Sequence, residues 1–138
     1  ECMQRIPLIT PETRHFWDGL QRNEFLLQQC GACRQIYFPP RPFCHHCMSR
    51  DIAIIPASGR GSLYSYVISH RPPEGWPPTP FSIALVTLEE GPRVISNIVD
   101  CAQDPATLQL DMPLEMLFRR SAGDFILPVF RPARPQVP

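Results

Sequence analysis

The stretch CGACRQIYFPPRPFCHHC, residues 30–47, constrains this chain more than any other part of it. It sets Cys30, Cys33, Cys44 and Cys47 in the spacing C-x2-C-x10-C-x2-C. A tetrahedral zinc site needs four thiolates around one ion. Two C-x-x-C turns supply them, because each turn aims both of its sulfurs to one side while nearby backbone N–H groups donate to them. The ten residues between form a hairpin that brings the two turns together. The reading is one structural zinc held by these four cysteines, with rubredoxin-type iron as the nearest rival because it uses the same four-sulfur geometry. Disulfides need an oxidising compartment, of which there is no sign. A thioredoxin-like centre needs a βαβ context that residues 30–47 lack. A closed four-thiolate site has no open coordination position, so it holds a hairpin rather than catalysing. With four cysteines available, His45 and His46 are expected to face solvent. Cys2 and Cys101 lack a histidine–acid neighbourhood that would make either a nucleophile.

The rest of the chain reads as mainly β. Thr10-Pro11-Glu12 opens a short helix, with threonine as N-cap and proline at the first helical position, and the helix is expected to end near Asn23. Phe16, Trp17 and Leu20 fall on one face of it. That face needs a surface, either in its own domain or on a partner, because so short a helix does not persist alone. A strand over 25–29 leads into the cysteine module, and Ile52 to Ile55 closes it. After a turn at Gly59-Arg60-Gly61, five strands are predicted: Ser62 to His70, Phe81 to Leu88, Arg93 to Val99, Leu114 to Phe118 and Phe125 to Phe130. The second is apolar on both faces, and a longer excursion, Cys101 to Met112, separates the third from the fourth. Five strands in this arrangement suggest a small closed barrel of the OB type. Tyr64 and Tyr66 are assigned to its core. The expected organisation is a helical segment over 1–24, a zinc ribbon over 25–56, an OB-fold-like barrel over 57–131 and a proline-rich tail over 132–138.

Composition narrows the function. Thirteen basic residues balance thirteen acidic ones over 138 residues, and every basic one is arginine. Without lysine no side chain here forms a Schiff base. Without a basic excess, phosphate neutralisation is poorly served, which argues against a nucleic-acid partner. No run of eighteen apolar residues and no basic-then-apolar opening is seen, so the expectation is a cytoplasmic protein with no membrane span. No G-x-S-x-G, Gly-rich phosphate loop or H-E-x-x-H is present. Glu89 and Glu90 read as a solvated turn, and no catalytic residue is assigned. Eighteen prolines form stiff connectors, among them Arg71-Pro72-Pro73-Glu74-Gly75-Trp76-Pro77-Pro78 between the first two barrel strands. Trp76 on that frame either anchors a partner or folds back on its own barrel. Trp17, Arg71 and Trp76 are therefore the candidates for a partner or substrate-entrance surface. Arg60, Arg71 and Arg93 are candidates to meet the charges of a CoA molecule.

Phe16-Trp17 with Leu20, the two cysteine pairs, Phe38-Pro39-Pro40-Arg41-Pro42, Gly59 through Tyr66, Leu88-Glu89-Glu90-Gly91 and Leu127-Pro128-Val129-Phe130 follow in an order that resembles the DUF35 family. These are zinc-ribbon and OB-fold proteins associated with acyl-CoA enzymes. The resemblance spans nearly the whole chain. It implies a non-catalytic subunit that supports a thiolase- or ketosynthase-like enzyme, with the acyl group or acyl-CoA held mainly by that partner. Carried onto this sequence, Cys30, Cys33, Cys44 and Cys47 match the family's zinc ligands, and no catalytic residue carries over. The expected reaction is C-acetyl transfer in phloroglucinol-type aromatic polyketide biosynthesis. The alternatives are retro-aldol or thiolytic cleavage of acyl-CoA side chains, as in steroid catabolism, and a stand-alone nucleic-acid- or CoA-binding OB module.

Overall fold

The computed structural model describes residues 6–71, 74 and 80–134. Trp76, Cys2 and most of the proline-rich connector lie outside the described residues. One short helix, α1 (Arg14–Gln21), precedes eight strands: β1 (Leu26–Cys30), β2 (Ile36–Tyr37), β3 (Ile52–Pro56), β4 (Arg60–Ser69), β5 (Phe81–Leu88), β6 (Arg93–Ser96), β7 (Pro113–Arg120) and β8 (Ile126–Pro132).

The helix starts at Arg14 with Thr13, not Thr10, as its N-cap, and Thr13 makes no side-chain cap bond to the helix; residues 11–13 form a turn ahead of it instead. Arg14 N–H donates to the Thr10 carbonyl at 3.0 Å, and Thr10 N–H donates to Thr13 Oγ1 at 3.0 Å. Thr13 thus reaches back to the start of that turn. At the far end Asn23 adopts a left-handed φ of 59°. Glu24 N–H then returns to the Gly19 carbonyl at 2.9 Å, and Asn23 N–H to that of Leu20 at 3.0 Å. This is a Schellman-type stop, which asparagine tolerates better than most residues.

Strands β2, β1 and β3 form a three-stranded antiparallel sheet in that order. Gln28 is buried within it, and its Oε1 accepts the Arg41 N–H at 2.9 Å, tying the proline-rich loop to β1. A second sheet runs β6-β5-β4-β7-β8. It is the expected five-stranded OB topology, present as a curled half-barrel drawn together where Ile98 bridges Phe130 in parallel. Val99 N–H to the Phe130 carbonyl (2.8 Å) and Phe130 N–H to the Asn97 carbonyl (2.9 Å) make that closure. Gly61 lies within β4 rather than in the preceding turn. A Cβ there would stand 2.6 Å from the Thr87 carbonyl oxygen, so the close approach of β4 to β5 requires glycine.

Two expectations are corrected by register. A bulge between Leu63 and Ser65 breaks the alternation of β4. It leaves Tyr64 outside, 49 % exposed under the Arg93 guanidinium, whose carbon lies 3.9 Å from the ring centre. Tyr66, beyond the bulge, packs against the core as predicted. The apolarity of β5 on both faces resolves into one fully buried face (Ser82, Ala84, Val86, Leu88) and an outer face where Ile83 is exposed.

One core runs through all three parts of the chain. Phe16 and Leu20 of α1, Phe25 and Leu27 of the first sheet, and Leu63, Val86, Ile98, Leu114 and Phe130 of the second belong to a single buried cluster. Phe16 is its aromatic hub, 5.2–5.3 Å from the rings of Trp17, Phe25 and Phe38. The helical face is thus covered by its own chain.

Candidate metal centre

The two C-x-x-C turns are copies of one another. Cys30 N–H donates to the Gln35 carbonyl (2.9 Å), and Arg34 N–H donates to the Cys30 carbonyl (3.0 Å). In the second turn Cys44 N–H donates to the Ser49 carbonyl (2.8 Å), and Met48 N–H to the Cys44 carbonyl (2.9 Å). Arg34 and Met48 take the same left-handed conformation, at φ 68° and 65°. Inside each turn a backbone N–H meets the first sulfur: Ala32 to Cys30 Sγ and His46 to Cys44 Sγ, both at 3.3 Å. The first turn is seated on the end of β3, where Gly31 N–H donates to the Asp51 carbonyl at 2.8 Å.

This geometry gathers the four sulfurs within 4.8 Å of one another. Cys30 Sγ lies 3.5 Å from Cys47 Sγ, and Cys33 Sγ lies 3.6 Å from Cys44 Sγ. Sulfurs held tetrahedrally about 2.3 Å from one zinc are about 3.8 Å apart, so the cluster has the right size for the ion. Its electrostatics agree. The Cys33 N–H, helped by that of Ala32, holds the Cys30 thiol down to about 6. At Cys33 the Gln35 N–H acts to lower the value, but burial and the three neighbouring sulfurs together prevail and push it up to about 12. Four thiolates at this spacing repel one another, and a divalent cation removes that repulsion. Cys30, Tyr37 and Cys44 form a small buried cluster beneath the site, separate from the main core. His45 and His46 are exposed, and His45 packs edge-on against Tyr37 at 5.2 Å.

The candidate surface residues are not gathered in the same way. Trp17 is half-buried, edge-on to Phe125 at 5.4 Å, and lines an open apolar cavity of about 280 Å³ with Phe38, Ile95, Leu127 and Pro128. Arg71 is exposed just past the end of β4, and Trp76 lies outside the described residues. Of the arginines considered for CoA, Arg60 pairs with Glu89 at 3.4 Å and Arg93 stacks on Tyr64. The turn expected to be merely solvated is therefore tied down. Glu90 accepts the Ser58 N–H at 3.2 Å, which fastens the β5–β6 turn to the linker between the two sheets. Only the pairing of distant segments reveals that role. Cys101 is half-buried, and burial first, then Asp100 and Asp104, raises its thiol.

A two-turn, four-cysteine cluster on a small sheet, feeding an OB half-barrel, defines a rubredoxin-like zinc ribbon joined to an OB fold, with one structural zinc. Comparison with known proteins makes this specific. The rubredoxin-like zinc ribbon domain of ChsH2 matches residues 17–53, and the C-terminal OB-fold domain of ChsH2 matches residues 55–119. The chain belongs to this DUF35 family of zinc-ribbon and OB-fold proteins. It is 34% identical over 112 residues to a DUF35 domain-containing scaffold protein of Methanothermobacter thermautotrophicus, covering 79% of this chain and 83% of that protein. It is 35% identical over 136 residues to a probable enoyl-CoA hydratase alpha subunit of Thermomonospora curvata, covering 99% of this chain but only 42% of that longer protein. Among solved structures it matches a chain of the Ltp2-ChsH2(DUF35) aldolase with a TM-score of 0.83 and 34% identity, over 92% of this chain and 98% of that one.

Proposed function

We propose that this protein is an accessory, scaffolding subunit of a thiolase-fold enzyme complex acting on acyl-CoA thioesters, with no catalytic residue of its own. The observation that carries this reading is the structural likeness, over 92% of this chain, to a chain of the Ltp2-ChsH2(DUF35) aldolase. The same likeness favours carbon–carbon cleavage of an acyl-CoA side chain over acetyl transfer to a phenolic ring. The geometry is consistent with a supporting role. The four-thiolate cluster is closed to substrate, so Cys30, Cys33, Cys44 and Cys47 serve to hold the ribbon rigid. Trp17, Arg71 and Trp76 are proposed to face the partner or its substrate entrance. Trp17 offers an apolar edge beside the cavity, and Arg71 has no ion pair among the described residues.

Native mass spectrometry of the protein purified from its own host tests the reading. The expected result is one zinc per chain together with a companion of thiolase size. Arg71→Glu is expected to weaken that association roughly tenfold, as loss of an interface arginine does, without altering the circular dichroism spectrum. A lone monomer that turns over an acyl-CoA thioester overturns the proposal.

A further inference from the structure

We propose that Cys47 is the redox-reactive member of the metal cluster, a thiolate that hydrogen peroxide oxidises first and that then bonds to Cys30, expelling the zinc. The inference rests on the zinc assignment of the four cysteines, and is independent of the proposed partner.

The four sulfurs are equal in chemistry but unequal in protection. Cys30 and Cys44 are wholly buried, packed with Tyr37, which is itself 4 % exposed. Cys30 Sγ accepts N–H bonds from Ala32 (3.3 Å) and Cys33 (3.4 Å), and Cys44 Sγ accepts one from His46 (3.3 Å). Cys33 is half-buried. Cys47 is the exposed member, next to Met48, which is 66 % exposed. Among the described residues no backbone N–H donates to its sulfur. Hydrogen bonds to an anionic sulfur draw charge from it, and burial bars a polar oxidant from approaching it. Cys47 lacks both protections, so it carries the most accessible thiolate of the four, with no backbone donor among the described residues to draw charge from it.

The chemistry closes on residues already in place. The Cys47 thiolate attacks one oxygen of the peroxide: an S–O bond forms, the O–O bond breaks, and hydroxide leaves. The sulfur, oxidised by two electrons, becomes a sulfenic acid. Cys30 Sγ, 3.5 Å away, then attacks the Cys47 sulfur, forming the S–S bond and releasing a second hydroxide. Two of the four ligands are consumed, and the ribbon loses its metal. Cys33 and Cys44, 3.6 Å apart, remain for a second oxidation.

The test is peroxide treatment of the zinc-loaded full-length protein, with release followed by a chromogenic zinc chelator and cysteines mapped by peptide mass spectrometry. Zinc content is measured first, which checks the metal assignment separately. The expected first products are one zinc released per chain and a Cys30–Cys47 disulfide. Cys47→His keeps a four-ligand set of a kind that structural zinc sites use, and release from it is expected to be slowed about tenfold, whereas Cys33→His releases like the wild type. Should the histidine variant fail to hold zinc, limiting N-ethylmaleimide on the wild type decides, with Cys47 expected to be alkylated first. A first disulfide between Cys33 and Cys44, equal release from Cys47→His and wild type, or initial alkylation at another cysteine each overturns the proposal.

Discussion

Phe16→Ala is the substitution that most directly probes how the ribbon and the barrel are joined. The ring is 6 % exposed and lies in the one core shared by α1, β1 and the second sheet. Truncating a buried phenylalanine costs about 3–5 kcal/mol, the spread depending on how far the site collapses. Here three ring contacts at 5.2–5.3 Å are lost together. Aromatic pairs add about 0.5–1.5 kcal/mol each beyond area burial, which argues for the middle of that range or above. The adjacent open cavity gives the neighbours room to shift, which argues against its top. We expect about 4 kcal/mol, and for a chain of this length that lowers Tm by roughly 14 °C. Phe16→Leu, which retains most of the volume, is expected to lose less than about 1.5 kcal/mol. The assay is thermal unfolding followed by far-ultraviolet circular dichroism for the sheets and by thiolate absorption of the cobalt-substituted cluster for the ribbon. In the wild type both signals are expected to move together. Two separate wild-type transitions, or a Tm loss under about 4 °C in Phe16→Ala, would refute the reasoning that one core unites the parts.

Further outcomes follow from the site and the packing. Cys44→Ser is expected to reduce zinc from one per chain to near none and to lower Tm, read by metal analysis and calorimetry; full retention of zinc would contradict a four-cysteine site. His15 is held below its ordinary value of 6.5, by burial first, with Asp18 partly opposing. Its Nε2 is buried without a partner among the described residues. The unfolded chain therefore binds that proton more readily, so stability from this group is present above the unfolded value and is lost as pH falls below about 6.5. His15→Gln is expected to flatten that segment of a Tm-versus-pH curve, and an unchanged slope would remove His15 as its cause. Gly61→Ala places a Cβ against the Thr87 carbonyl, and urea titration is expected to show a loss of about 1–3 kcal/mol.

What the chain discloses by itself is what short-range chemistry encodes. Cysteine spacing specifies a metal cluster because a C-x-x-C turn is a local backbone conformation, and its sulfurs converge with little help from elsewhere. The stop of α1 near Asn23 is local in the same sense. Tertiary structure alone decided the rest. Tyr64 leaves the core because β4 bulges against β5, a register event that no period-2 count contains. Trp17 meets Phe125, and Glu90 meets Ser58, only after strands distant in sequence pair. The half-barrel is drawn together at Ile98 and Phe130 because the curled sheet brings its two edges near one another, and that curvature is a sum over all five strands. Even within the cysteine motif, four identical side chains became two shielded sulfurs, one half-shielded and one exposed. Exposure depends on what packs over a turn, and the turn's own residues do not carry that information.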